Sequence, residues 1–264
     1  MVSKAQRRVI HSLGFFGETE KIDAAAQDQY SKLFDSVISE THLCALAAIF
    51  GWAVEDGLEA WATDLVCLQE TKVAAISQFF LCSVFGSDFD KFVLLPTVGT
   101  RGGIIIAWKS ADVMEEEGRN WWLTGVYGPQ GDNDKITFLQ ELRDVRALCA
   151  GPWVIADDFN LIYQAANKNN NNLNRAMMGR FRCFLDNLEL KEITLLGRKF
   201  TWSNERDNPT LVRLDRAFCS VEWEDIFLDD VLQSATAGVS DHCPLLLGLQ
   251  VCTKGKRRFH FESF

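Results

Sequence analysis

Three polar clusters follow or precede apolar runs in this chain. Leu65-Val66-Cys67-Leu68 leads into Gln69-Glu70, Trp153-Val154-Ile155-Ala156 into Asp157-Asp158-Phe159-Asn160, and Asp241-His242 stands just before Pro244 and a further apolar run. Each puts carboxylate, amide or imidazole groups at the end of a strand-like segment. Taken together they suggest one site assembled from distant segments, as sheet-based hydrolases with a hard metal assemble theirs. Glu70 is either a solvated strand end or a metal ligand, and Mg²⁺ needs only a few carboxylate oxygens because it keeps several waters. Asp158 and Asn160 are two apart, so on extended backbone they point to one side. The carboxylate can orient a water and the amide can donate to a phosphate oxygen; an Asx-rich turn would use the same residues.

Two further groups extend the set. The imidazole of His242 can shuttle a proton or bind phosphate if a carboxylate orients it, and it can equally be a structural histidine. In Arg213-Leu214-Asp215-Arg216 an acid lies between two guanidinium groups. A surface ion-pair network accounts for it; the functional reading makes Asp215 the carboxylate that polarises His242, with Arg213 near a phosphodiester. Tyr127, before Gly128-Pro129, can donate its hydroxyl to a phosphate or simply occupy a strand edge.

The elements that must position these groups are strands mixed with helices. Strands are expected at 65–68, 92–95, 103–108, 122–127, 153–156, 200–203, 231–237 and 244–251. Helical periodicity covers 27–49. A helix that Asp132 could cap has Ile136, Leu139, Leu142 and Val145 on its apolar face. Another carries Met177, Phe181, Phe184, Leu185 and Leu188. Six of the eight residues 167–174 are Asn, which marks a loop ahead of that helix. The crossovers are too irregular for a doubly wound sheet, so an α/β sandwich of mixed sheets fits better.

The bulk numbers narrow the classes. At 264 residues with 47% hydrophobic and 24% charged content, one large domain with a full core is expected. No uncharged apolar run reaches 18 residues, and no apolar segment follows the basic N-terminal residues, so neither a membrane span nor a signal peptide is expected. The eight cysteines are scattered without zinc-like spacing, which points to reduced thiols in an intracellular protein, nuclear or cytoplasmic. A net charge of −9 argues against broad electrostatic capture of nucleic acid. The charge is uneven: residues 168–216 hold ten Lys/Arg against six Asp/Glu, so a basic face remains open.

In order along the chain, DLVCLQETK (64–72), RGGIIIAW (101–108), LTGVYGP (123–129), PWVIADDFN (152–160), GRKFTWSNER (197–206), LVRLDRAF (211–218) and SDHCPLLL (240–247) resemble the endonuclease/exonuclease/phosphatase superfamily. The nearest likeness is to the apurinic-like endonuclease domain of plant LINE-type non-LTR retrotransposons. RRFHFESF (257–264) is similar to the segment leading from that domain towards the reverse transcriptase. The resemblance implies a four-layer α/β/β/α sandwich over residues 43–252, with an N-terminal extension (1–42) and a basic tail (253–264). It implies Mg²⁺ (or Mn²⁺) as cofactor and DNA as substrate, with no membrane and no stable protein partner. Glu70 would bind the metal, with Asp241 on the metal side or beside His242. Asp158 would align the attacking water. Asn160, Tyr127 and His242 would contact the scissile phosphate, Asp215 would support His242, and Thr201 would lie near the substrate.

Three departures accompany the likeness. Ala53 stands where the family places an Asn that helps hold the metal, which implies that the first strand's usual motif is missing. Asp157 replaces the glycine of Gly-Asp-Phe-Asn, which adds a carboxylate and a Cβ. Only about a dozen residues separate Trp108 from Trp121, a loss that could remove some peripheral strand. Two functional readings follow: a Mg²⁺-dependent DNA endonuclease by descent, with impaired activity, or an inactive remnant that binds nucleic acid or has no selected role.

Overall fold

The runs Leu65-Val66-Cys67-Leu68, Ile104-Ile105-Ile106-Ala107 and Trp153-Val154-Ile155-Ala156 are apolar at consecutive positions. On a strand, neighbouring side chains point to opposite faces, so such runs must be covered on both. A computed structural model shows how. It describes residues 9–12, 47–52, 65–71, 73–96, 102–110, 121–227, 230–234 and 241–249.

The strands in chain order are β1 (Val9–Ser12), β2 (Ala47–Trp52), β3 (Leu65–Thr71), β4 (Lys91–Leu95), β5 (Gly103–Trp108), β6 (Trp122–Tyr127), β7 (Trp153–Asp158), β8 (Lys191–Glu192), β9 (Leu195–Leu196), β10 (Trp202–Ser203), β11 (Leu211–Val212), β12 (Asp215–Cys219), β13 (Val231–Ser234) and β14 (Leu245–Leu249). The helices are α1 (Gln78–Phe85), α2 (Asp132–Leu148), α3 (Arg175–Asn187) and the single turn α4 (Val221–Glu224). One mixed sheet has the order β4-β5-β3-β2-β14-β13-β9, the other β1-β6-β7-β12-β8, and β10 and β11 form a separate ribbon.

The period of two sorts the core into layers. Leu65 and Cys67 of β3, Ile104 and Ile106 of β5, Val154 and Ala156 of β7, and Ala217 of β12 meet between the two sheets. The alternate residues Trp153 and Ile155 pack on Phe138, Leu142, Phe181 and Phe184 from α2 and α3. Val66, Leu68, Ile105 and Ala107 pack on Leu81 of α1 and Phe89. The result is helix, sheet, sheet, helix, the four-layer sandwich expected.

Details differ from the sequence expectations. Residues 47–49 are strand rather than the end of a helix; β2 lies between β3 and β14, antiparallel to the first and parallel to the second. A strand therefore occupies the centre of the larger sheet here, although Ala53 and the rest of the 27–46 helical segment lie outside the described residues. Within the 1–42 segment, β1 adds an edge strand to the smaller sheet beside β6. Gly131, not Asp132, is the N-cap of α2, without a side-chain bond. Leu139, Leu142 and Val145 of that helix are buried as expected, while Ile136 is exposed and Phe138 is buried in its stead. Asn174 caps α3 by accepting from Met177 N at 3.0 Å, an end signal within the Asn-rich loop. No helix among the described residues is long and apolar enough to cross a membrane.

Candidate active site

The ends of β3, β6, β7 and β12 converge with the segment before β14. On β3 the pairing with β5 is irregular between Leu68 and Thr71, and Glu70 takes a left-handed backbone (φ 53°) within that irregularity. Gly102 makes it possible: a Cβ there would lie 2.4 Å from Glu70 Cα. Tyr127, at the end of β6, donates its hydroxyl to Glu70 Oε1 at 2.5 Å. Burial, and then the bond to Glu70, push the phenol well above its ordinary value, so it stays a donor.

Tyr127 and Asp158 are register partners on the parallel pair β6–β7. The chain after each is locked to the other. Gly128 N donates to Asp158 O at 2.7 Å, and a Cβ on Gly128 would meet Phe159 O at 2.0 Å. Asp158 accepts from Asn160 N (2.7 Å) and Asn160 Nδ2 (2.6 Å), so the two side chains do share a side. The second Nδ2 hydrogen is given to Gly128 O at 2.9 Å. Asn160 thus holds Asp158 with the donors that a phosphate would use.

Asp215 opens β12 and pairs in register with Asp158 on β7. Its carboxylate takes His242 Nδ1 at 3.0 and 3.1 Å. That contact turns Nε2 away from Asp215. Burial lowers the imidazole pKa, but the Asp215 hydrogen bond and charge outweigh it and lift His242 to about 9. Burial raises Asp158 too, and the adjacent Asp215 charge raises it further. Asp241 is exposed, and its Oδ2 accepts from Trp202 Nε1 at 2.9 Å.

Glu70, Tyr127, Asp158, Asn160, Asp241 and His242 all line one cavity of about 670 Å³. Gln130, Lys135, Lys168 and Trp202 line it as well. No protein-family profile and no curated protein sequence matches the chain. Solved structures do. The endonuclease domain of TRAS1, a telomere-specific non-LTR retrotransposon, superposes with a TM-score of 0.51 at 14% identity, over 69% of this chain and 95% of that one. The AP endonuclease LMAP of Leishmania major gives 0.51 at 14% identity, over 83% and 82%.

This is the endonuclease/exonuclease/phosphatase fold.

Within that fold, Asp157 is this chain's oddity. It adopts φ 105°, where side chains other than glycine's are strained. It is fully buried and turned from the cavity towards Cys67 and Gln69 of β3. Neither carboxyl oxygen makes a hydrogen bond of good geometry. Burial, and then the charge of Asp215, hold this acid well above the usual carboxylate range. The extra carboxylate therefore does not face a ligand in the cavity.

Two expected substrate contacts sit elsewhere. Arg213 lies 3.5 Å from Glu192, in a group where Arg216 and the Tyr163 hydroxyl each donate to Glu192 at 2.5 Å, and it is not among the cavity-lining residues. The network reading of the Arg-Leu-Asp-Arg segment applies to its two arginines, while Asp215 turns to His242. Thr201 is fully buried; its Oγ1 accepts from Leu214 N and Asp215 N, both at 3.0 Å. It holds the start of β12 in place.

Lys135, Lys168 and Trp202 escaped the sequence reading. Lys135 follows the Tyr-Gly-Pro turn on the first turn of α2, and that position relative to Tyr127 was the available signal. For a metal, Glu70 and Asp241 offer hard oxygens, each carboxylate oriented by a donor. Among the described residues no group of three or more His, Cys, Asp and Glu is placed to form a complete ligand set. Carboxylate oxygens of this kind are what a hard cation takes while keeping several waters.

Proposed function

We propose that this protein is a divalent-metal-dependent endonuclease that hydrolyses DNA phosphodiesters. The carrying observation is the convergence of the Asp215–His242 pair, Asp158 and the Glu70–Tyr127 pair, from segments 170 residues apart in sequence, on one cavity. Four carboxylates line it, Glu70, Asp132, Asp158 and Asp241, against Lys135, Lys168 and His242. An anionic substrate would be repelled there without added positive charge, which argues for a bound cation beside Glu70 and Asp241. When bound, Mg²⁺ or Mn²⁺ would supply charge neutralisation at the phosphoryl oxygens.

The chain's own residues would do the rest. Asp158 orients the attacking water and, in its ionised form, takes its proton. His242, held charged by Asp215, donates from Nε2 to a non-bridging oxygen as the phosphorus becomes pentavalent. Tyr127 keeps Glu70 in place. Lys135 and Lys168 contact backbone phosphates. The new P–O bond forms to the water oxygen as the bond to the leaving sugar oxygen breaks, and that oxygen takes a proton from solvent water to leave as the alcohol.

A second reading, a folded but inactive remnant, is favoured by Asp157 and by Asn160, whose amide donors are already occupied. Nicking of supercoiled plasmid by purified protein with Mg²⁺, beside Asp158→Ala and His242→Ala, separates the two. Metal-dependent nicking lost in both variants supports the enzyme. A protein that melts cooperatively and does not nick supports the remnant.

A further inference from the structure

Trp202 belongs to the β10–β11 ribbon, outside both large sheets. Its backbone nonetheless pairs with the end of the site: Trp202 and His242 form an antiparallel bridge. On either side of that bridge, Cys243 N donates to Thr201 O at 2.7 Å and Ser203 N to Asp241 O at 3.0 Å. Its ring meets the His242 imidazole edge-on, with 6.3 Å between centroids. Its indole Nε1 then donates to Asp241 Oδ2.

That last bond is chemically informative. Asp241 is exposed and is a short side chain lining the cavity. Left to itself such a carboxylate samples several rotamers, and a cation that binds through it must freeze it. An indole N–H is a donor only, with no acceptor capacity to compete for the cation. It is carried by a rigid ring on a ribbon whose next residue, Ser203, is hydrogen-bonded to the backbone of Asp241. Hydrogen bonds to ligating carboxylates are a recurrent means of fixing ligand orientation.

We propose that Trp202 is a positioning residue: it holds the Asp241 carboxylate in the orientation that receives a divalent cation, and its ring seats His242 beside it. This rests on the reading of Asp241 as a metal-side group. It assigns to the indole N–H a role that apolar packing alone would not give it.

The test is Mn²⁺ binding by the full chain, followed by the paramagnetic signal of free Mn²⁺, with no substrate present. Trp202→Phe keeps a ring against His242 and loses the N–H. We expect it to weaken Mn²⁺ binding about tenfold with an unchanged melting temperature. Asp241→Asn should weaken binding at least as much, and Trp202→Phe added to Asp241→Asn should cost nothing further, because the two act through one bond. Unchanged affinity in Trp202→Phe, losses that simply add in the double variant, or no Mn²⁺ binding by the unsubstituted protein would each overturn the proposal. Failure to nick plasmid while these binding differences hold would remove the nuclease reading and leave the role of Trp202 standing.

Discussion

Asp215 takes His242 Nδ1 with both carboxylate oxygens, 3.0 and 3.1 Å away, across 27 residues of sequence. Both groups are buried, and Thr201 holds the backbone of Asp215 from below. The pair fixes which imidazole nitrogen can face a ligand and keeps the ring charged at neutral pH.

Asp215→Asn should therefore lower the His242 pKa from about 9, read by the imidazole proton shifts in an NMR titration. Nicking activity should fall by roughly 10²-fold or more, as expected when an oriented imidazole loses its carboxylate. The sign of the stability effect follows from linkage. The folded pKa is above the unfolded value of about 6.5, so the stabilisation is full below pH 6.5 and is lost as pH rises through about 9. The melting temperatures of wild type and Asp215→Asn should differ most near pH 6 and converge near pH 10.

Asp157→Gly should stabilise the protein. It removes a left-handed non-glycine residue, a strain of about 1–3 kcal/mol, together with a buried acid lacking good hydrogen bonds. Here the folded pKa is raised, so above about pH 4 the unfolded chain has released a proton that the folded one keeps. Stability conferred on the folded state thus declines as pH rises from that point. Urea unfolding at pH 5 and pH 8 should show a larger gain for Asp157→Gly at pH 8, and Asp157→Asn should flatten the pH dependence without relieving the backbone. An unstable Asp157→Gly would contradict this account.

Gly128→Ala should damage the site more than the overall fold. The added Cβ would fall 2.0 Å from Phe159 O, in the bonded contact that ties Tyr127 to Asp158. Backbone must move there, and a loss of more than about 2 kcal/mol in urea unfolding is expected. Gly102→Ala, 2.4 Å from Glu70 Cα, should behave alike and displace Glu70.

Lys135→Gln tests one of the two lysines that line the cavity. Its side chain is four-fifths buried, its ammonium lies 4.0 Å from Asp132, and burial lowers its pKa. If it meets a backbone phosphate, the variant should bind duplex DNA more weakly whatever the sequence. The slope of log affinity against log salt should shrink by about one, measured with the Asp158→Ala background to prevent cleavage.

Much of this protein is determined by local sequence. The consecutive apolar runs at 65–68, 104–107 and 153–156 require two covered faces, and the period of two then dictates four layers. The spacing of Asp158 and Asn160 sets them on one side, as extended geometry demands, and Glu70 and Tyr127 are marked by their places at strand ends. What remained undetermined depends on long-range partners. Arg213 and Arg216 look as ready for a phosphate as for a carboxylate until Glu192 is brought beside them. Asp241 gains its indole partner only because the ribbon brings Trp202 to it, 39 residues back along the chain. Asp157 could face the ligand or the core, and only the left-handed backbone at the end of β7 turns it inward against Cys67 and Gln69. Side-chain type and periodicity act over a few residues. The partner of a charge is decided by which segments the two sheets bring within hydrogen-bonding reach, and no local pattern carries that information.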